Sequence, residues 1–265
     1  MLEKNQQQKV PKIRRIDIFR VFLRSFFVQS VWNYRSLISA GFGICLIPIV
    51  NRLYEDPKAK KAFLNRHLKF FNAHPYMASY ALGVSIKLEE DFAAGDAEAS
   101  QKLERLKKML VSILGAVGDK LFWSVIKPFS LMVGVLLLYT FQSIPLKIAA
   151  LFATFLFCNI PHVYLRYKGI WEGYEYGLDV YKRLRNERFK KLETIYLMLG
   201  FPAFTLFIIT LLISLFTSNI HQFVVFVFAV GSVYIIRKFT NNFYFTVVVA
   251  FFASLVVSYA ISSLL

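Results

Sequence analysis

Residues 243–264 read FYFTVVVAFFASLVVSYAISSL and contain no charged side chain. A helix of about 20 apolar residues is long enough to cross a hydrocarbon core of about 30 Å. Comparable stretches lie at 121–142, 144–165 and 195–216, and a shorter one lies at 220–236. The sequence therefore predicts an all-α polytopic membrane protein with about five transmembrane helices.

The composition of the whole chain agrees with a membrane location. Hydrophobic residues make up 57% of the 265 residues, and the mean hydropathy is +0.50. From Ile195 to Leu265 the only charged side chains are Arg237 and Lys238. These values exceed what is usual for a soluble domain, so the second half of the chain needs lipid or a partner surface.

The net charge of +16 comes largely from short segments that flank the apolar runs. Residues 1–24 contain seven Lys and Arg side chains, and residues 166–191 contain eight. Cations in such flanks mark the cytoplasmic side of a membrane, so we expect no nucleic-acid binding. We predict a multi-pass protein of the bacterial inner membrane with a cytoplasmic N-terminus and an external C-terminus.

The apolar runs of the first half are too short to span a bilayer. Residues 15–34 have helical apolar spacing and predict an amphipathic helix that lies in the membrane interface or packs against the protein. The glycine-containing run at 36–50 and the run at 110–118 predict re-entrant segments, whereas the charged stretch 51–108 predicts a soluble helical excursion. The predicted regions are 1–35 (cytoplasmic N-terminus and amphipathic helix), 36–120 (re-entrant segments and excursion) and 121–265 (transmembrane helices with a cytoplasmic loop at 166–191).

A site for a ligand with hydroxyl and C–H groups needs carboxylates or amides for the hydroxyl groups and an aromatic face for the C–H groups. Asp119 and Trp123 supply this combination within one apolar segment, and ionisable residues at membrane depth are candidates for function. Alternatively, Asp119 caps a helix that begins at Lys120.

Four further polar residues lie among aromatic ones and complete the predicted substrate-binding set: Gln29, Asn33, Asn72 and His74. His74 precedes a proline, so it either meets a ligand or anchors a turn. We expect no catalytic residue, no metal and no cofactor, because the chain lacks nucleotide-binding, zinc-protease and nucleophile motifs.

Two charged groups have alternative interpretations. Glu89, Glu90 and Asp91 either border a path for the sugar or contact a soluble partner, or they form an ordinary salt-bridged face. The cationic and aromatic residues that begin at Arg166 either anchor the protein at the membrane interface or dock a soluble subunit.

Four ordered blocks resemble the IID membrane subunits of the mannose/fructose/sorbose family of sugar phosphotransferase systems. They are SFFVQSVWNYRSLISAGFGICLIP at 25–48, HLKFFNAHPYMASYALGVSIKLEED at 67–91, SILGAVGDKLFWSVIKPF at 112–129 and CNIPHVYLRYKGIWEGYEYGLDV at 158–180. The resemblance implies a subunit that pairs with a IIC membrane subunit to carry a hexose inward. It also implies that separate IIA/IIB phosphocarriers phosphorylate the sugar and that the IIC/IID pair forms homo-oligomers.

Three positions depart from the pattern of that family. Lys120 follows Asp119, Ser30 follows Gln29 where glycine is expected, and Ser112–Ile113 replaces glycine-proline. A lysine that paired with Asp119 would make the carboxylate less available to a neutral sugar. Two hypotheses follow: a working transporter in which Lys120 points away, or a divergent IID that serves as a structural or regulatory membrane partner.

Overall fold

The computed structural model describes residues 12–184, 187–218, 220–240 and 242–263. Two compact units are present, one up to Leu199 and the other from Gly200 onward. The described helices are α1 (Arg15–Ser25), α2 (Ser39–Cys45), α3 (Ile47–Leu53), α4 (Pro57–His67), α5 (Ala78–Ala93), α6 (Ala99–Gly118), a π-helical segment (Asp119–Ile126), α7 (Lys127–Thr140), α8 (Ile144–Tyr176), α9 (Val180–Leu184), α10 (Glu187–Ser218), α11 (Ile220–Phe239) and α12 (Phe243–Ser263).

Five helical stretches among the described residues are long and apolar enough to cross a membrane. They are Ala99–Thr140, Ile144–Leu184, Phe189–Ser214, Ile220–Phe239 and Phe243–Ile261. The predicted all-α polytopic class is confirmed, and each predicted span overlaps one of these helices, with ends that differ by a few residues in some cases.

The longest of these stretches joins α6, the π-helical segment and α7 without a break. Residues 110–118 belong to the C-terminal half of α6 rather than to a separate short element, and their re-entrant placement stays a prediction. The prediction that Asp119 caps a new helix is wrong, because the chain is already helical on both sides of it. Sequence patterns missed this continuity because the polar half of α6 lowers the average hydropathy.

Other boundaries in the first half also differ from the predicted ones. The N-terminal helix ends at Ser25, and residues 26–38 form turns, with Leu37 at a φ of 55°. The run at 36–50 forms the short helices α2 and α3, and its re-entrant placement stays a prediction. The segment 166–191 is mostly helical in its described part, so it is not an irregular loop.

The first unit is organised around the crossing of α5 and α8. A Cβ atom on Gly83 would overlap the carbonyl oxygen of Ile170, and one on Gly173 would overlap the carbonyl oxygen of Tyr80. The two backbones therefore touch directly, as small residues allow in membrane helix pairs. This contact fixes the first half of α5 against the C-terminal part of α8.

The second unit contains α11 and α12, which pack against each other. Thr246, Ala250 and Ser254 recur every four residues and form the buried stripe of α12. Large apolar side chains such as Phe251 and Val256 are exposed. A helix with small residues inside and large apolar residues outside is suited to a lipid environment.

Candidate functional site

His74 connects the start of α5 with the π-helical segment. Its side chain is only 3% exposed, and its ring stacks on Phe122 with centroids 5.1 Å apart. A Cβ atom on Gly118 would overlap the His74 side chain, so the glycine lets the ring lie against the helix. The segment that follows Gly118 is therefore held by a histidine from a distant part of the sequence.

The protonation of His74 follows from its surroundings. Burial, together with the positive charges of Lys127 and Arg166, lowers the pKa of His74 to about 4, so the ring is neutral at pH 7. The Tyr76 backbone N–H donates to His74 Nδ1 at 3.3 Å, which places the proton on Nε2. Among the described residues Nε2 has no partner, so the ring carries an unused donor.

Asp119 is the first residue of the π-helical segment, and its side chain is exposed on the protein surface. Its carboxylate makes no hydrogen bond or ion pair with any residue that the structure describes. Lys120 Nζ instead pairs with Glu193 Oε1 at 2.8 Å. The cation next to Asp119 in the sequence thus has another partner, and the Asp119 oxygens remain available.

Trp123 follows Asp119 by four residues, close to one turn of a π-helix, so both lie on the same side. Its side chain is 53% exposed, and Lys127 Nζ lies 3.3 Å from its ring centroid. The His74 ring contacts the indole edge-on at 6.0 Å. The structure therefore brings together Trp123 and His74 from the predicted set and adds Lys127, while Asp119 lies four residues before Trp123 in the same segment. Short π-helical segments are frequent at functional sites.

A buried polar cluster from α8 lies beside these residues. The His162 ring stacks on Tyr76 at 4.2 Å, and the Arg166 guanidinium lies 4.9 Å from the Phe26 ring centroid. Arg166 donates to the Ser25 carbonyl oxygen and is buried. The prediction that Arg166 anchors or docks at a free surface is therefore wrong for this residue.

The sequence interpretation did not select Tyr76, Lys127 or His162 for the site. Lys127 and His162 are ionisable residues within membrane-spanning helices, and such residues are candidates for function by default. That signal was present in the sequence. What the sequence lacked was the contact between α8 and the His74 loop, which joins residues far apart in the chain.

The remaining predicted residues lie on two adjacent loops. The Leu37 N–H donates to the Asn33 carbonyl oxygen at 2.8 Å, and the Ile38 N–H donates to that of Phe71 at 3.3 Å. Asn33 Oδ1 accepts from the backbone N–H of Ser36 at 2.9 Å, so this side chain shapes a turn. Gln29 and Asn72 are exposed, and their side chains make no hydrogen bond within the described part of the chain.

The acidic group at the end of α5 is mostly structural. Glu89 is 1% exposed and accepts from Arg66 at 2.6 and 3.0 Å and from His67 Nε2 at 2.9 Å. Burial alone would raise the pKa of Glu89, but these partners outweigh burial and lower it. Glu90 accepts from the Tyr174 hydroxyl at 2.7 Å. The salt-bridged alternative therefore holds for Glu89, and Glu90 is likewise bound within the protein.

The described residues contain no group of three or more His, Cys, Asp or Glu side chains arranged to hold a metal ion. Cys45 and Cys158 are free thiols. The geometry thus offers an acidic acceptor, an aromatic ring and a neutral imidazole beside two cations, the buried Arg166 and the half-buried Lys127. These features and the five spans define the class: a helical polytopic membrane protein with a polar and aromatic site beside a π-helical segment.

The family follows from comparison with known proteins. The family model described as "PTS system mannose/fructose/sorbose family IID component" matches residues 12–257. The chain belongs to this family, as the four sequence blocks predicted.

Curated relatives agree with this assignment. The mannose-specific EIID component of Escherichia coli K12 is 32% identical over 194 residues, 72% of this chain and 66% of that protein. The sorbose-specific EIID component of Lacticaseibacillus casei is 30% identical over 207 residues, 78% of this chain and 70% of that protein. The chain thus spans slightly less than two thirds of the length of the Escherichia coli protein.

Solved structures share the fold. One is a cryo-EM structure of the mannose transporter ManYZ in complex with microcin E492, with a TM-score of 0.59 and 31% identity. That match covers 74% of this chain and 70% of the other. A second, titled only as a membrane protein, has a TM-score of 0.70 at 26% identity and covers 94% of this chain and 97% of the other.

Proposed function

We propose that this chain is the IID subunit of a phosphotransferase sugar transporter and acts with a IIC subunit to translocate a hexose. Separate IIA/IIB proteins would phosphorylate the sugar, and this chain would carry no phosphorylated residue. The observation that carries the proposal is an exposed Asp119 carboxylate without a partner among the described residues, four positions before the half-exposed Trp123 ring in the same π-helical segment. A carboxylate that accepts from hydroxyl groups and an aromatic ring that meets C–H groups suit a neutral sugar.

The ion pair of Lys120 supports transport over the partner-only alternative. The doubt about transport rested on a lysine that would neutralise Asp119. Lys120 pairs with Glu193 at 2.8 Å, so in the folded chain it does not neutralise Asp119.

One set of contacts supports the proposed orientation in the inner membrane. The Ile13 backbone N–H donates to Glu90 Oε1 at 2.9 Å, and the Tyr174 hydroxyl donates to Glu90 Oε2 at 2.7 Å. The basic N-terminal segment, the end of α5 and the basic end of α8 therefore share one side of the protein. By the positive-inside rule that side is cytoplasmic, and an odd number of spans then puts the C-terminus outside.

The partner proposal rests on similarity and on surface chemistry. The solved ManYZ structure is titled as a transporter complex, and α1 and the turn that follows it expose Phe19, Leu23 and Phe27. Exposed apolar side chains next to the membrane need lipid or another subunit. We propose a IIC subunit as that partner and keep homo-oligomers of the pair as a prediction.

The test is sugar uptake. The chain is expressed with its IIC partner and phosphocarriers, and phosphoenolpyruvate-dependent uptake of labelled mannose, fructose and sorbose is measured. We expect uptake of at least one sugar. If none of the sugars is taken up although both subunits are inserted in the membrane, transport is rejected and the partner-only role remains.

Two variants then locate the site. Asp119→Asn should raise the KM for uptake by about tenfold or more, since a hydrogen bond to a charged group contributes about 1.5–3 kcal/mol. Trp123→Ala should also raise the KM, through loss of the aromatic face. Glu55→Gln is the matched control, because Glu55 is an exposed carboxylate outside the site. A KM unchanged in both site variants would remove these residues from sugar binding.

A further inference from the structure

A second concave site lies outside the candidate sugar site, between the end of α4 and the first turns of α6. It is a cleft of about 240 Å³ with four cations in its wall: Arg66, Lys69, Lys107 and Lys108. Glu104 is the carboxylate in the same wall, and Ser100 adds a hydroxyl group. The volume is slightly below the usual range for ligand sites, about 300–1,000 Å³, so the cleft suits a small ligand.

Lys107 is the unusual member of this group. Its side chain is 7% exposed, and its Nζ has no hydrogen-bond partner among the described residues. The ammonium lies 4.8 Å from the Phe42 ring centroid and 5.3 Å from that of Phe71. Two aromatic rings stabilise a cation in part, but a buried charge without an oxygen partner still attracts an anion.

The other charges of the cleft leave an excess of positive charge. Arg66 is paired with Glu89 at 2.6 Å behind the wall. Glu104 is shared by Lys69 at 3.2 Å and Lys108 at 3.7 Å, so two lysines have one carboxylate. These exposed pairs are weak, and both lysines can turn to a stronger anion.

The position of the cleft at the start of α6 adds to its positive electrostatic potential. Ser100 is the second residue of α6, a helix of 20 residues that begins at Ala99. The N-terminus of a helix carries partial positive charge and free backbone N–H groups. Leu103, Phe70 and Val111 provide apolar wall beside the cations, so the cleft suits a charged group attached to a small organic body.

We propose that this cleft binds the phosphate group of a small phosphomonoester. Lys69 and Lys108 contact the phosphate oxygens as mobile point charges, and Lys107 contributes a fixed positive charge from below. A phosphate dianion is preferred over a carboxylate because it offers more oxygens and more charge to three lysines. The proposal concerns binding alone and does not depend on sugar transport.

The experiment measures binding by isothermal titration calorimetry on the full chain in detergent micelles. The probes are glucose 6-phosphate, inorganic phosphate and glucose, and nanodiscs with and without phosphatidylglycerol form a separate arm. We expect saturable binding of glucose 6-phosphate that weakens as the salt concentration rises, and no binding of glucose. Binding of inorganic phosphate at lower affinity also supports the phosphate site.

The variants separate a real site from general attraction to a basic protein. Lys107→Met should weaken glucose 6-phosphate binding by about tenfold or more, as loss of a charged contact does. If Lys107→Met fails to fold, Lys69→Gln/Lys108→Gln changes only exposed side chains and should give a similar loss. Lys58→Gln, at an exposed lysine on α4 away from the cleft, should bind as the unmodified chain does.

Three results would overturn the proposal. They are no binding of either phosphate probe, equal binding by the cleft variants and Lys58→Gln, or an effect seen only with phosphatidylglycerol, which would make the cleft a lipid contact. Because binding is measured without the other transporter subunits, a failure of uptake and a failure of this site remain distinguishable.

Discussion

Lys120 Nζ lies 2.8 Å from Glu193 Oε1, so a carboxylate from α10 neutralises the cation that follows Asp119 in the sequence. This pair predicts the effect of removing its acidic member. Glu193→Gln frees Lys120 to approach Asp119 and should raise the KM for sugar uptake several-fold, in line with an ion pair of about 1 kcal/mol. The double variant Lys120→Gln/Glu193→Gln lacks the cation and should return to the original KM. A double variant as impaired as Glu193→Gln would contradict this explanation.

The contact between Gly118 and His74 predicts a difference between two neighbouring glycines of α6. A Cβ atom on Gly118 would overlap the His74 side chain, whereas one on Gly115 has no neighbour within 4 Å. Gly118→Ala should lower stability by about 1–3 kcal/mol through overpacking. Gly115→Ala should be neutral or stabilising by up to about 1 kcal/mol, because alanine is the better helix former.

Thermal unfolding of both variants in the same detergent checks this prediction. Both variants make the same change, glycine to alanine, in the same helix. They differ only in whether another side chain lies close to the new Cβ atom. Equal melting temperatures for the two variants would show that His74 can move aside without cost.

The transmembrane part of the fold could be predicted from the sequence because each span is a local property. Residues 243–264 satisfy the length requirement by themselves, whatever the rest of the chain does. The continuity of α6 into α7 could not be predicted in this way. The polar first half of α6 and the π-helical segment interrupt the apolar pattern, and the stretch packs against α5 through α6 and against α8 through α7.

The candidate site was predictable only in part, for a similar reason. Asp119 and Trp123 are neighbours in the sequence and are expected to lie together in any helix. His162 meets Tyr76, and Arg166 meets Ser25, only after α8 has folded across the chain. Tyr76 and His162 are 86 positions apart in the sequence, and Ser25 and Arg166 are 141 positions apart. Contacts over such separations leave no local pattern in a single sequence.

The buried pair of His67 and Glu89 predicts how stability depends on pH. Burial lowers the pKa of His67 from 6.5 to about 4. Between these values the unfolded chain binds a proton that the folded chain does not, so folding stability falls as the pH drops from 6.5 to 4. The loss from this residue is at most about 3 kcal/mol. The lowered pKa of Glu89 adds a further loss below 4.5, its value without partners.

The measurement is the melting temperature of the purified chain from pH 7 to pH 4. His67→Gln keeps an amide donor for Glu89 but cannot titrate, so its melting temperature should fall less steeply over this range. His74 also has a pKa lowered to about 4, and a residual slope is therefore expected. An unchanged slope in His67→Gln would show that this histidine is not the titrating group.

The last prediction separates two roles for Asn33, a sugar ligand or a turn former. Its Oδ1 accepts from the backbone N–H of Ser36 at 2.9 Å and of Arg35 at 3.1 Å. Aspartate offers the same acceptor geometry, whereas alanine leaves both N–H groups without it. Asn33→Asp should therefore keep both stability and uptake, and Asn33→Ala should lose about 1–2 kcal/mol of stability. A direct amide contact to the sugar would give a different result, because Asn33→Asp would then raise the KM while the melting temperature stayed constant. Measuring both quantities on both variants decides between the roles, and the occupied oxygen favours the turn.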